Sequence, residues 1–307
     1  MTLDEFRRQW LSPEPYIVAH TSGSTGTPKE IRLLKADMRL SARATNSRFG
    51  IKPDSVLAIP LSMDYIAGKM MAVRAFEAGC RLIELPVSNR IELNEPVDLL
   101  AIVPSQVDSI VSDANAHRIR NVIIGGARLD NTRRSMLAGM PFAAFCTYGM
   151  TETCSHVALA DALDPQGIYS AMPGISFSID SRDCLRITAG SMSFGTLQTN
   201  DVVELLDNGR FRWLGRADNA INSGGIKIMA EELECCLQAV LKVPFYIKAE
   251  PDDKWGEVPV LVAEAPHNML PLIQQAIDSL GLGRRKPQRI YCVPALPRTA
   301  NGKIRRV

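Results

Sequence analysis

Between residues 55 and 146, short apolar runs alternate with amphipathic helical stretches, and this alternation constrains the fold more than any other feature of the chain. Residues 55–61 (SVLAIPL) predict a strand, 65–78 a helix stopped by Gly79, and 81–85 the next strand. Strand 98–103, helix 105–112, strand 121–124, helix 131–138 and strand 142–146 continue the series. Strands separated by helices wind into a mostly parallel sheet covered by those helices. Past Pro173 short segments such as 202–206 and 211–214 flank Asp207-Asn208-Gly209, a hairpin pattern in which Asn-Gly can take positive φ. From about Asn219 a helix (230–240), strands (245–249 and 259–263) and another helix (270–280) predict a small α+β domain. The expected class is α/β: a large N-terminal domain, 1–217, with a mostly parallel sheet and a small β-rich section, then a small α+β C-terminal domain, 218–307.

Composition narrows the function. With 35 Lys+Arg against 33 Asp+Glu the net charge is +2, and no basic cluster is dense enough to follow a nucleic-acid backbone. The N-terminus lacks a cationic-then-apolar signal pattern and no apolar run is long enough for membrane insertion, so a cytoplasmic protein is expected. The seven cysteines, Cys80, Cys146, Cys154, Cys184, Cys235, Cys236 and Cys292, are scattered without a C-x-x-C pair and read as reduced, mostly buried thiols. Histidines at 20, 117, 156 and 267 give no usable metal spacing with them.

One loop carries chemistry. Thr21-Ser22-Gly23-Ser24-Thr25-Gly26-Thr27-Pro28-Lys29 follows the apolar run 16–19. Glycines let backbone N–H groups approach an anion, hydroxyls donate further hydrogen bonds, and Lys29 adds a cation, which suits a polyphosphate. Pro28 occupies the place of the second glycine of a Walker loop, and neither G-x-S-x-G nor S-x-x-K occurs, so a kinase or hydrolase use is disfavoured. On composition alone the stretch serves equally as a polar surface turn.

The residue order of this loop resembles the phosphate loop of the acyl-adenylate-forming (AMP-binding) superfamily, and further segments match in the family's order along nearly the whole chain. Tyr148-Gly149-Met150-Thr151-Glu152 follows a predicted strand, at the edge where parallel sheets bind ligands. The resemblance implies that Tyr148 stacks on adenine, Thr151 donates to the α-phosphate and Glu152 holds Mg²⁺. Gly125-Gly126-Ala127 would let the adenine lie against the backbone, although a Gly-Gly pair by itself reads as a tight turn. Asp201, in Thr199-Asn200-Asp201, stands where the family binds the ribose hydroxyls, with Asn200 replacing its usual glycine. In the run from Leu214 to Lys227, Arg216 would reach the ribose and Asp218 would be the hinge of a mobile lid. Gly224, Gly225 and Lys227 would line the channel for coenzyme A. In Pro297-Arg298-Thr299-Ala300-Asn301-Gly302-Lys303, the resemblance makes Lys303 the catalytic lysine, whereas alone it is a solvated charge.

The implied reaction has two steps. A carboxylate attacks the α-phosphorus of Mg·ATP to give an acyl-adenylate and pyrophosphate, and a thiol then displaces AMP; positioning and charge neutralisation supply most of the catalysis. Asn222-Ser223-Gly224-Gly225 and the Tyr-Gly-Met-Thr-Glu form of the metal motif are most similar to the o-succinylbenzoate:CoA ligases of menaquinone biosynthesis. Ile59-Pro60-Leu61 followed by Ile66-Ala67-Gly68 is similar to their L-P-L...I-x-G segment, with a longer spacer and Tyr65 in place of the usual histidine. Beside Tyr65, the polar residues Lys69, Arg74, Ser155 and His156 are candidates for binding a second carboxylate of the acid. Three alternatives stay open: another acyl- or aryl-CoA ligase or an adenylating enzyme that loads a carrier-protein thiol; a catalytically inactive ATP-binding regulatory protein; and a hydrolase or kinase using the loop differently, which the missing motif frames disfavour. Beside the family the chain is short ahead of its phosphate loop, so the exposed face of the large domain is expected to be covered differently, for instance in a homo-oligomer.

Overall fold

The computed structural model describes residues 1–20, 30–298 and 304–306. The phosphate-loop candidates 21–29 and the candidate Lys303 lie outside the described residues. The chain divides into two compact units: Met1–Ser178 with Arg186–Leu197 and Leu205–Arg212, and Ile179–Leu185 with Gln198–Glu204 and Trp213–Val307. The expected division was a single cut after residue 217. The second unit instead begins at Trp213 and takes in two upstream segments, because Thr199 Oγ1 donates to Leu185 O at 2.8 Å and Cys184 and Val202 pack with Met229. A linear composition reading cannot see such closures.

In the first unit α1 (Leu3–Leu11) precedes a hairpin of β1 (Tyr16–His20) and β2 (Glu30–Leu34), in which His20 pairs with Glu30. Next come α2 (Lys35–Phe49), β3 (Val56–Ile59), α3 (Ile66–Ala78), β4 (Arg81–Glu84) and β5 (Leu99–Ile102). Short α4 (Val107–Ile110) and α5 (Asp113–Ala116), β6 (Asn121–Ile124), α6 (Asn131–Leu137), β7 (Ala143–Met150), β8 (Ser155–Asp161) and β9 (Ile168–Ala171) complete the series. The helix expected over 105–112 is instead a 3₁₀ turn, Pro104–Gln106, followed by α4. Gln106 folds its side chain back to accept from Val103 N and donate to Ser88 O, which favours the tight turn.

Strand order is β4-β3-β5-β6-β7-β8-β9, parallel up to β7 and antiparallel from there. The α/β class holds, but the sheet is mixed: the expected parallel arrangement covers β4 to β7 and gives way to antiparallel pairing from β8 onward. Successive side chains alternate between two cores. Leu57, Ile59, Leu99, Ala101 and Ile123 pack with Phe6, Met38, Met70 and Met71 from α1 to α3. Ala58, Leu100, Ile102, Val122 and Ile124 face Val107, Ile110 and Leu137 from α4 and α6. Helices thus cover both faces, which is why these strands read as continuous apolar runs.

Strands β10 (Ser176–Ile179), β11 (Cys184–Ala189), β12 (Gly195–Asp207) and β13 (Arg210–Arg216) follow; Phe211 of β13 pairs with Tyr169 of β9. The β12–β13 hairpin forms where expected, but neither Asn208 nor Gly209 takes positive φ. Asp207 closes it instead, accepting from Gly209 N at 2.9 Å and pairing with Arg210 Nε at 2.8 Å.

The second unit holds β14 (Ala220–Ser223), β15 (Ile226–Met229), α7 (Ala230–Leu237), β16 (Phe245–Asp252), β17 (Gly256–Glu264), α8 (Leu270–Asp278) and β18 (Arg289–Val293). Its sheet order is β15-β14-β17-β16, with β18 parallel to β17. Leu233 and Leu237 of α7 and Ile273 and Ile277 of α8 pack on Ile221, Ile247 and Leu261 of one sheet face. All seven cysteines are free, as expected, but only Cys146, Cys154 and Cys184 are buried; the other four are half-buried, so "mostly buried" is corrected. No helix among the described residues is long and apolar enough to cross a membrane.

Candidate functional site

The first cluster stands on the β7–β8 hairpin. Sequence placed Tyr148, Gly149 and Met150 just past a strand, yet all three lie within β7, because antiparallel pairing with β8 extends it: Met150 faces Ser155 and Gly149 faces His156. Gly149 is obligatory here. A Cβ would stand 2.1 Å from Ser155 O and 2.6 Å from His156 Cα. Thr151 and Glu152 form the 3₁₀ turn at the hairpin tip, Thr151–Thr153, and Cys154 leaves it at φ 63°. Burial pushes the Cys154 thiol up to about 12, so it is no nucleophile at neutral pH. Thr153, which the sequence reading passed over, fastens the tip: its Oγ1 contacts Met150 N and O at 3.0 Å and Ser155 O at 2.7 Å.

Glu152 is half-buried and makes no hydrogen bond or ion pair with another described residue. Its carboxylate is free to face a cation. Tyr148 is held by rings, with Phe211 edge-on at 5.0 Å and Tyr169 tilted at 5.8 Å, while Phe177 buttresses Phe211 at 4.9 Å. Gly125 and Gly126 follow β6 directly. A Cβ at Gly125 would stand 2.6 Å from Thr147 Oγ1, so any larger residue there would have to displace that hydroxyl.

The second cluster is the polar core behind that hairpin. Arg74 of α3 is 1% exposed. One Nη donates to Ser155 Oγ at 2.9 Å and lies 3.5 Å from His156 Nδ1. Nε finds no partner, and no acid pairs with the guanidinium among the described residues. Burial brings its pKa down to about 9, which still leaves it charged at neutral pH. His156 is held neutral, well below the usual histidine range, first by burial and then by the Arg74 charge, and its Nε2 meets Thr45 Oγ1 at 3.1 Å. Asn46 Nδ2 caps Arg74 O at 2.9 Å.

Of the four polar candidates for the acid, the structure brings Arg74, Ser155 and His156 together. Lys69 is directed elsewhere. It is 1% exposed and its Nζ donates to Met63 O at 2.7 Å and Asp64 O at 3.1 Å, so it braces the loop before α3. Tyr65 is exposed at the N-cap of α3.

The third cluster lies in the second unit. Buried Asp201 accepts from Trp213 Nε1 at 3.2 Å and lies 3.7 Å from Arg216 Nη1. The other Nη of Arg216 pairs with Asp218 at 2.9 Å. Asp201, Arg216 and Asp218, named separately from sequence, thus form one chain of charges. Trp213 was not foreseen, although a tryptophan three residues before the arginine was its only signal. Gly224 and Gly225 make the two-residue turn between β14 and β15, with φ 53° and 81°, the mirror-image hairpin turn that Gly-Gly favours. A Cβ on Gly224 would sit 2.4 Å from Trp255 Cε3 and 2.4 Å from Arg284. Lys227 Nζ donates to Arg182 O at 3.2 Å.

The first unit offers a carboxylate without a described partner beside a threonine, an aromatic shelf and a buried guanidinium without an acid partner; the second unit offers an acid–arginine pair. Known proteins are similar to this chain in sequence and fold. A family model described as AMP-binding enzyme matches residues 4–181, more than half of the chain. The 2-succinylbenzoate–CoA ligase of Escherichia coli (strain K12) is 28% identical over 305 residues, covering 93% of this chain and 66% of that protein. The chain spans about two thirds of the length of this curated relative. A solved acyl-CoA synthetase (AMP-forming)/AMP-acid ligase II-like protein from Dyadobacter fermentans DSM 18053 is 34% identical at a TM-score of 0.65, covering 98% of this chain and 90% of that one. The O-succinylbenzoate coenzyme A synthetase of Bacillus subtilis, solved with ATP and magnesium ion, shares the fold at a TM-score of 0.78 and 20% identity, covering 94% of this chain and 68% of that one. On the family match and the 34% identical structure, this chain belongs to the AMP-binding enzyme family.

Proposed function

We propose that the chain is an ATP-dependent carboxylate:CoA ligase working through an acyl-adenylate, and that its acid is 2-succinylbenzoate, a dicarboxylate. The observation that carries the choice of acid is Arg74, a buried guanidinium with an unpartnered Nε and no acid beside it among the described residues. A charge so placed is costly unless an anion meets it. The second carboxylate of a dicarboxylate would supply that anion, with Ser155 and neutral His156 adding hydrogen bonds. The names of the curated relatives support the same acid.

The remaining residues take roles that fit their settings. Tyr148, held by Phe211 and Tyr169, gives a rigid face for adenine, with Gly125, Gly126 and Ala127 as a bare edge. Asp201 accepts from the ribose hydroxyls while Arg216 balances its charge. Glu152 suits the Mg²⁺ that accompanies ATP, since its carboxylate has no described protein partner; when bound, that ion would neutralise phosphate charge. Thr151 donates to the α-phosphate and residues 21–29 cradle the outer phosphates. Lys303 stabilises charge as pyrophosphate leaves. A turn of residues 218–307 about Asp218 would then present the Gly224-Gly225 loop for coenzyme A.

A coupled assay with 2-succinylbenzoate, benzoates and short fatty acids, reading AMP and thioester, tests this. AMP and a CoA thioester are expected from 2-succinylbenzoate. Lys303→Ala should lose adenylate formation by about 100-fold or more yet convert a supplied acyl-adenylate to thioester. AMP without any CoA thioester would favour carrier-protein loading, and no AMP from any acid would favour a regulatory ATP-binding protein.

A further inference from the structure

Arg306 is pinned by two acids of α7. Though exposed, it donates to Glu234 at 2.6 Å and lies 3.5 Å from Glu231. Glu234 also accepts from Ile247 N at 2.7 Å, and burial raises its pKa despite the guanidinium beside it. Glu231, 7% exposed, receives Arg216 N at 3.3 Å and the Asn219 side chain. One carboxylate thus touches both the turn at 216–219 and the tail.

The tail is closed at its base as well. Arg298 bridges Ile304 in antiparallel fashion and Arg305 N donates to Pro297 O at 2.8 Å, so residues 304–305 are fixed against 297–298. Ile304 packs on Tyr246, Val262 and Leu296, and Glu264 accepts from Leu296 N at 2.9 Å and Arg298 at 3.1 Å. Here Arg306, three residues beyond Lys303, is held by two largely buried acids.

We propose that Glu231 and Glu234, acting through Arg306, are positioning residues for adenylate formation: they tether the Lys303-bearing tail to the helix that also holds the 216–219 turn. The inference rests on the role given to Lys303 above. A lysine that must meet charge developing on the α-phosphate is effective only when its backbone is fixed, and loss of the tether costs rate without costing nucleotide binding.

The test measures both half-reactions for Arg306→Ala, Arg306→Lys, Glu231→Gln and Lys303→Ala, with thermal midpoints alongside. Arg306→Ala should cut kcat for adenylate formation from 2-succinylbenzoate by roughly 10- to 100-fold, leaving KM for ATP within about threefold and thioester formation from supplied acyl-adenylate within about twofold. Arg306→Lys should recover most of the loss, and Glu231→Gln should show a smaller loss in the same half-reaction only. Should Arg306→Ala fold poorly, Glu231→Gln carries the same split in smaller measure. Adenylate formation within about twofold of the parent, or equal loss in both half-reactions, would overturn the tether. Failure of Lys303→Ala to impair adenylate formation would overturn the role of the lysine instead, which separates the two claims.

Discussion

Arg74 and Arg216 are the same residue in opposite electrostatic settings. Arg74 is sealed in the first unit among a serine, a neutral histidine and a threonine, with no acid near it among the described residues. Arg216, its side chain 42% exposed in the second unit, lies between Asp201 and Asp218. A fall of the Arg74 pKa from 12.5 to about 9 reflects a burial penalty on the order of 5 kcal/mol. The first setting leaves positive charge to be met from outside. The second balances its own charge and suits a neutral partner such as a sugar diol. Ligand charge can therefore be read from the sign of what each protein cluster leaves uncompensated.

The largest effect that would break this contrast concerns the neutral imidazole. His156 stays unprotonated in the folded protein well below its ordinary 6.5, whereas the unfolded chain takes up a proton there. The unfolded state then binds more protons as pH falls, so the stability His156 contributes is present above about 6.5 and is lost at about 1.4 kcal/mol per pH unit below it. Urea unfolding across that range should show this slope, and His156→Asn should flatten it. An unchanged slope would mean that the cluster tolerates a second cation, and the contrast with Arg216 would fail.

A smaller effect is expected in the second unit. Asp218→Asn removes one arm of an exposed pair and should change unfolding free energy by no more than about 0.5 kcal/mol. A loss several times larger would show that the Arg216 chain is structural rather than poised for a ligand.

Much of the fold was legible because its signals are local. Apolar runs such as 55–61 and 98–103 report strands buried on both faces, and Gly79 stops α3 with a left-handed φ of 65°. Residue order singled out the 148–152 segment, which the structure places on the end of β7 and the turn that follows it. What stayed hidden depends on distant packing. Lys69 and Arg74 share one helix and look alike in sequence, yet only the tertiary neighbours decide that one braces a loop and the other faces Ser155 and His156. Met150 became strand rather than loop because β8 returned alongside it. Glu231 and Arg306 meet from positions 75 apart in the chain, and no periodicity reports such a pair.

The most direct measurement of the central claim compares the parent and Arg74→Met on 2-succinylbenzoate and on its counterpart lacking the second carboxylate, with unfolding free energies measured in parallel. If Arg74 receives the second carboxylate, kcat/KM for the dicarboxylate falls by about 100-fold, the monoacid is nearly unaffected, and stability is unchanged or raised. Equal losses for both acids, together with a drop of several kcal/mol in stability, would contradict the account and make Arg74 a part of the scaffold.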